Sequence, residues 1–458
     1  MNDLQPTVGF VCFGEVNTPM ERLKLKHGEA LAIIEGLCGK VYDAGVVIDE
    51  PDYSSAKRAV AQLQKASAEG GFSSLIACVA GWIPSHAVVY VADAFRHMPM
   101  LLWGLCGWHE KGRLFTTADQ AGSTALRPAF EDLGYSFKYI YSIVGKPPPV
   151  SEACAFLMAA HAKEMLRTAR IGTMGWRDML LYGTCPDPTS IRSTFGVEIE
   201  PFDMLEMVQG MEKVESGKVV EALTFVKENW KFQAACDDSI IETGIRYALS
   251  LGEIIQRRGY EAVTLVDVDG MKRLLGFPPS MVFMLLDQFY GTQVLPENDI
   301  IGSVAQLVMK YLTGQNTFYL EYYEFFEESV IAGVPDFIPK VATDGDTLIL
   351  PAAFGLLSTS LLNVSAVKQG TLTCSRLGSI GGKYRFHVYT GEGKKPPAWA
   401  EFGWDEPIPQ LPSLEVFPSS CSVPEFAQKV LNQHTIVVYG DHMAAVRDFC
   451  NLLKIDLV

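Results

Sequence analysis

No run in this 458-residue sequence reaches the ~18–20 uninterrupted apolar residues that a membrane-spanning helix needs. The ten cysteines include no CxxC pair and no framework spacing. In a chain this large that predicts reduced, cytosolic thiols, mostly buried as small hydrophobes. Histidine is sparse, and neither HxxxH nor HExxH occurs, so a zinc protease is not expected. Positive charge is in deficit. The formal net charge of −15 sets up a field that repels phosphate backbones, which argues against a nucleic-acid partner. "VGFVCFGEV" has glycines after a strand-like run but not GxGxxG. "GSIGGKYRF" has GGK but not GxxxxGK[ST], and it sits among strands. Glycine at tight turns accounts for both better than a Rossmann or P-loop site does.

What is present is material for cores: 48% hydrophobic and 11% aromatic residues. The length predicts about three domains. The opening "MNDLQPTVGFVCFGE" goes straight into a strand-like run without a basic region and an apolar core, so no signal peptide and a cytoplasmic location are expected.

"TVGFVCFG", "GKVYDAGVVID", "SLIACVAGW" and "MPMLLWGLCG" alternate with amphipathic helical stretches. That rhythm predicts a parallel sheet with helices on both faces. "GKPPPVSEA" (145–153) reads as a linker, since three prolines continue neither element. The pattern restarts at "RIGTMGW", and "GVEIEPFD" and "AVTLVDVD" suggest a second α/β unit. From about residue 316 the texture turns to short strands broken by Gly, Pro and Asp, as in "TFYLEYYEFF" and "KYRFHVYTGEG", before a last strand and helix. The expected fold is therefore α/β: a doubly wound parallel sheet in 1–165, a second in 166–315, and a smaller, mostly β, barrel-like or sandwich part in 316–458.

The segment "QVLPENDIIGSVAQLVMKYLTGQNTFYLEYYEFF" (293–326) concentrates the chemistry. Glu297 and Glu321 bracket an apolar stretch, and Asp299 stands beside the first. A carboxylate among such residues costs several kcal/mol unless it is paired or metal-bound, so a structural ion pair and a metal site both stay open. Two carboxylates and a histidine would suit a hard divalent cation. His434 stands at the mouth of the strand-like "TIVVYG", as a structural histidine or a ligand. His442, at the start of the last helix, could cap it or meet an anion. His86, His97 and His109 flank strand ends of the first domain, as substrate contacts or as surface residues.

"PENDIIGSVAQLVMKYLTGQNTFYLEYY" resembles the metal-binding segment of the L-fucose isomerase and L-arabinose isomerase superfamily. There a Glu in an "EN/ES-D" context precedes a helix with small residues, an "LTG" turn and a strand with a second acid. "QHTIVVYGDH" is similar to the family's C-terminal histidine strand. "RIGTMGWRDMLLYGTCPDPTSIRSTFGVEIEPFDMLEM" resembles the opening of its second domain. One departure stands out: arabinose isomerases carry a further histidine in a "GSHMLE"-like stretch, where this chain has "ILPAAFG".

The resemblance implies aldose–ketose isomerisation of an open-chain sugar through an ene-diol. Glu297 and Glu321 would be acid and base, and with His434 they would hold Mn²⁺, or else Mg²⁺ or Co²⁺. It also implies a trimer or hexamer, with Trp82, His86, Trp103 and His109 reaching a neighbour's site. A neutral deoxy sugar would rest on Trp82, Trp103 or Trp108. A 6-deoxy-6-sulfo sugar such as sulfoquinovose, the alternative substrate, would need Arg96, His97, His109 or Lys111. Asp299 and His442 complete the expected substrate contacts. A non-catalytic sugar-binding protein that kept the fold is the reading from another class.

Overall fold

The structure is a computed structural model, and it describes residues 5–334, 337–351, 361–397 and 412–458. The chain is α/β, with parallel sheets and a closed six-stranded β-barrel. It divides into two compact units, Met1–Met165 with Ala444–Lys454, and Leu166–Met443 with Ile455–Val458. The last helix, which sequence order placed with the β-rich part, thus clusters with the first unit. Residues 352–355 of "ILPAAFG" lie outside the described residues.

In the first unit five parallel strands, β1 (Thr7–Phe13), β2 (Lys40–Val47), β3 (Ser74–Val79), β4 (Met100–Gly104) and β5 (Phe137–Tyr141), lie in the order β2-β1-β3-β4-β5. Side chains alternate across the sheet, so each strand feeds two cores. Leu75, Ala77 and Val79 pack with Leu63 of α2 (Ser54–Glu69), Val88 of α3 (Ser85–Ala94) and Phe130 of α4 (Asp119–Asp132). Ile76 and Cys78 point the other way, to Leu23 and Ile34 of α1 (Met20–Glu35) and Phe156 of α5 (Val150–Leu166). The sheet is doubly wound. In α1 the buried positions Leu23, Lys26, Ala30 and Ile34 fall three or four apart, one stripe of a helix.

In the second unit four parallel strands, β6 (Arg170–Met174), β7 (Glu198–Phe202), β8 (Ala262–Leu265) and β9 (Gln293–Leu295), lie in the order β9-β8-β6-β7. The chain order reverses between β6 and β8, and open α/β sheets bind ligands at the carboxyl ends beside such a reversal. After β9 comes α6 (Ile300–Thr313), closed by Gly314 at φ 69°. Twelve residues of this 14-residue helix are buried, so it has almost no polar face. Two layers explain that: α6 touches β6, β8 and β9 of the sheet and two strands of the barrel.

The barrel strands are β10 (Phe318–Phe325), β11 (Val330–Gly333), β12 (Gly370–Ile380), β13 (Lys383–Lys394), β14 (Pro412–Pro418) and β15 (His434–Tyr439). Antiparallel ladders run β10-β11-β14-β13-β12-β15 and close from β15 back to β10. Closure leaves no free edge. Of the two forms expected for this segment, barrel or sandwich, the barrel is the one found. The two strands that touch α6 are β12 and β15. Among the described residues, no helix is long and apolar enough to cross a membrane.

Candidate metal centre

Glu297 is positioned by a turn that the backbone resists. Glu297 and Asn298 are consecutive non-glycine residues with left-handed φ, 60° and 50°. Buried partners hold them there. The Asn298 amide N–H donates to Leu265 O (2.7 Å), and its side chain accepts from Thr173 Oγ1 (2.6 Å) and donates to Met174 O (3.3 Å). The turn is thereby tied to the carboxyl ends of β6 and β8. Asp299 then caps α6, accepting the Gly302 N–H at 2.9 Å.

Glu321 and His434 are placed by strand register. They sit directly opposite each other on β10 and β15, and directly opposed residues project to the same face. Tyr319, two residues before Glu321, meets the His434 ring edge to face at 5.2 Å.

Two halves of one unit thus deliver three side chains to one point. One ligand atom from each of Glu297, Glu321 and His434 lies within 4.8 Å of the others. His434 Nε2 is 3.3 Å from Glu321 Oε1 and 3.6 Å from Glu297 Oε2. Gln433 Nε2 donates to Glu297 Oε2 at 2.7 Å. Both glutamates are half-buried and His434 is fully buried.

Behind the trio, Asp299 accepts from His434 Nδ1 at 2.8 Å and is gripped in two-pronged fashion by Arg376. All three are sealed from solvent. A Cβ on Gly302 would fall 2.5 Å from Arg376 Nη1 and from Asp299 Oδ2, so glycine is needed for this approach. Burial by itself would raise the Asp299 pKa. The Arg376 charge and the hydrogen bonds from His434 and Arg376 overturn that and hold the carboxyl well below its usual range. Burial by itself would lower the His434 pKa. Hydrogen bonds to Asp299 and Glu321 and the charges of Asp299 and Glu297 push it up to about 10.

The donor set fits a divalent cation. Asp299 occupies Nδ1 and so directs Nε2, the other ring nitrogen, at the two carboxylates, the carboxylate–histidine arrangement that orients metal ligands. Two carboxylate oxygens and one imidazole nitrogen with no thiol suit Mn²⁺, Mg²⁺ or Co²⁺ better than a soft ion.

Two of the expected substrate contacts in this unit, Asp299 and His442, are engaged otherwise. Asp299 is fully buried and supports His434, so it has no surface to offer a substrate. The His442 ring is engaged by Tyr439 O (3.0 Å) and Gln315 Nε2 (3.3 Å). It lies past the far end of β15, whose length at ~3.4 Å per residue puts roughly 17 Å between its ends, so it is not part of the trio.

The remaining expected contacts belong to the first unit. Trp103, Trp108 and His109 line one cavity of about 500 Å³ there. Trp103 is otherwise a core residue whose Nε1 donates to Ser142 Oγ at 3.0 Å. Trp108 stacks on Phe115 at 5.7 Å under the Arg22 guanidinium, and Lys111 is exposed at the turn between the short antiparallel strands Trp108–Glu110 and Arg113–Phe115. His86 packs edge to face on Tyr53 at 5.3 Å, and Trp82 is partly exposed at the carboxyl end of β3. Arg96 and His97 precede β4, at its amino end, away from the edge where such sheets bind ligands. Arg96 is also spent on Leu133 O at 2.9 Å.

Sequence reasoning missed Arg376, Gln433 and the role of Asp299. Arg376 had a signal: it is the single charged residue in the strand "GTLTCSRLGSI".

No family model matches the chain, and no curated protein matches it. Among solved structures, an ABC transporter periplasmic solute binding protein from Actinobacillus succinogenes 130z with bound D-allose aligns over 73% of this chain and 95% of its own, at 11% identity and a TM-score of 0.17. A likeness that low carries no argument about fold or function.

Proposed function

We propose that this chain isomerises an open-chain aldose to its ketose, with Glu297 and Glu321 moving the protons and His434 completing a divalent-metal set. The observation that supports this most is the convergence of the three ligand atoms within 4.8 Å, backed by Asp299. The reaction takes a proton from C2 and returns one to C1 through an ene-diol, while a second proton passes between the two oxygens. A bound cation would supply positive charge at the substrate oxygens and so acidify the C–H bond.

The chain's own residues do the rest. Glu297 and Glu321 come from separate elements, so one can act as base and the other as acid across the C1–C2 bond. Gln433 fixes the Glu297 oxygen it donates to, and His434 does the same for Glu321. Asp299 and Arg376 hold the His434 ring so that it need not reorganise when the site fills. Half-burial of both glutamates leaves a substrate access while stripping part of their hydration.

A neutral aldose is the favoured substrate, since Arg96, one candidate handle for a C6 sulfonate, already holds Leu133 O. The proposal extends to a homo-oligomer, trimer or hexamer, which light scattering can check. The deciding experiment assays ketose formation from a panel of aldoses, one C6-sulfonated, by metal-free protein with and without added Mn²⁺. Turnover that appears only with metal supports the proposal. Sugar binding without turnover under every metal would favour a non-catalytic binding protein and sink it.

A further inference from the structure

A second charged pair lies beneath Glu297. Asp267, two residues past the end of β8, opens a π-helical turn, Asp267–Lys272, a local distortion frequent at functional sites. Its Oδ1 accepts the backbone N–H of Glu297 at 2.6 Å. Its Oδ2 lies 3.5 Å from Lys272 Nζ, at the other end of the same turn. Both residues are buried, Asp267 almost completely. The turn is clamped from a third side: the buried Asp178 carboxylate accepts the N–H groups of Val268 and Asp269, each at 2.8 Å.

We propose that Asp267, backed by Lys272, is a positioning residue that aims the Glu297 carboxylate at the metal. This rests on the reading of Glu297, Glu321 and His434 as a metal set. Glu297 holds a left-handed φ that its side chain disfavours. The adjacent Asn298 is anchored to two strands, yet the N–H that orients Glu297 itself goes to Asp267. A carboxylate acceptor makes that a charge-assisted bond, stronger than a carbonyl would give. Left alone, a second buried acid so near the trio would be costly. Lys272 offsets its charge and restrains the side chain. The pair therefore adds rigidity under the ligand with little net charge.

The test measures Mn²⁺ affinity by calorimetry on full-length protein shown to be folded by circular dichroism. Asp267→Ala removes the acceptor and is expected to weaken Mn²⁺ binding by about 10–100-fold, the range for losing a partner that orients a ligand. Asp267→Asn keeps an oxygen for the Glu297 N–H and is expected to recover most of that loss. Lys272→Gln loosens the support and is expected to weaken binding by less than Asp267→Ala. It also keeps the test open should the alanine variant not fold. Wild-type affinity in Asp267→Ala or in Lys272→Gln, or an Asp267→Asn variant as weak as the alanine one, overturns the inference and leaves the metal reading intact. A wild-type protein that binds no Mn²⁺ overturns both.

Discussion

Each of the two units buries an acid–cation pair at the start of a helix. In the first, Asp119 in the opening turn of α4 pairs with Lys26 of α1 and accepts from Thr117 Oγ1. In the second, Asp299 at the cap of α6 pairs with Arg376. Both acids are 1% exposed or less. What differs is the third partner. Thr117 passes its contact on to the backbone, at Ala80 O. The third partner of Asp299 is a histidine whose other nitrogen faces two glutamates. A buried ion pair is thus weak evidence of function by itself. It becomes evidence when it orients a group that points at further ligands.

The sharpest test of that contrast acts on the trio itself. Chelating divalent ions should abolish isomerisation, with Mn²⁺ restoring it best. Glu297→Gln and Glu321→Gln should each lower the rate by about 10²–10⁴, and His434→Ala should weaken Mn²⁺ binding, all measured against correctly folded protein. Wild-type rates in these variants would reduce the second unit's pair to the status of the first.

Next come the pairs. Asp299→Ala and Asp119→Ala each strand a buried cation and should each cost about 3–5 kcal/mol in urea unfolding. Only Asp299→Ala should also lose Mn²⁺ affinity. Equal loss in Asp119→Ala would break the comparison.

A half-buried acid sharpens it from the other side. Asp287 accepts a backbone donor, the Lys340 N–H at 3.1 Å, with no cation paired to it among the described residues, and burial raises its pKa to about 6. Between the unfolded value near 4 and about 6, the folded state binds more protons than the unfolded one. This group therefore lowers stability as pH rises through that window. Asp287→Asn should raise the unfolding free energy at pH 7 by ~2 kcal/mol and leave it nearly unchanged at pH 4. A gain of the same size at both pH values would show that the carboxylate is not the cause.

The smallest effect belongs to His442. His442→Ala should cost about 1 kcal/mol through the contacts to Tyr439 O and Gln315, with Mn²⁺ affinity unchanged. Weakened Mn²⁺ binding there would return His442 to the site.

Much of this protein was legible in one dimension. Alternating apolar runs and amphipathic stretches carry the first sheet, because side-chain period is set by local backbone geometry. The apolar stretch between Glu297 and Glu321 encodes a 14-residue helix and a returning strand, and "HTIVVY" encodes the strand that begins at His434. These are short-range facts. Tertiary structure alone decided which acid does what. Asp299, beside Glu297, is expected from the sequence to contact substrate, yet it meets Arg376, 77 residues away, and His434, 135 residues away, and is buried by both. The Glu321–His434 pairing depends on ladder register, where a slip of one residue would turn either side chain to the opposite face. Asp267 and Lys272 sit two and seven residues past Leu265, the end of β8, and nothing local marks them as the support of Glu297; that link forms only when β8 and β9 lie side by side. Local pattern specifies elements, and closure of the sheet and the barrel on α6 specifies which charges meet, because the energy of a buried charge is set by neighbours that the chain brings from far away.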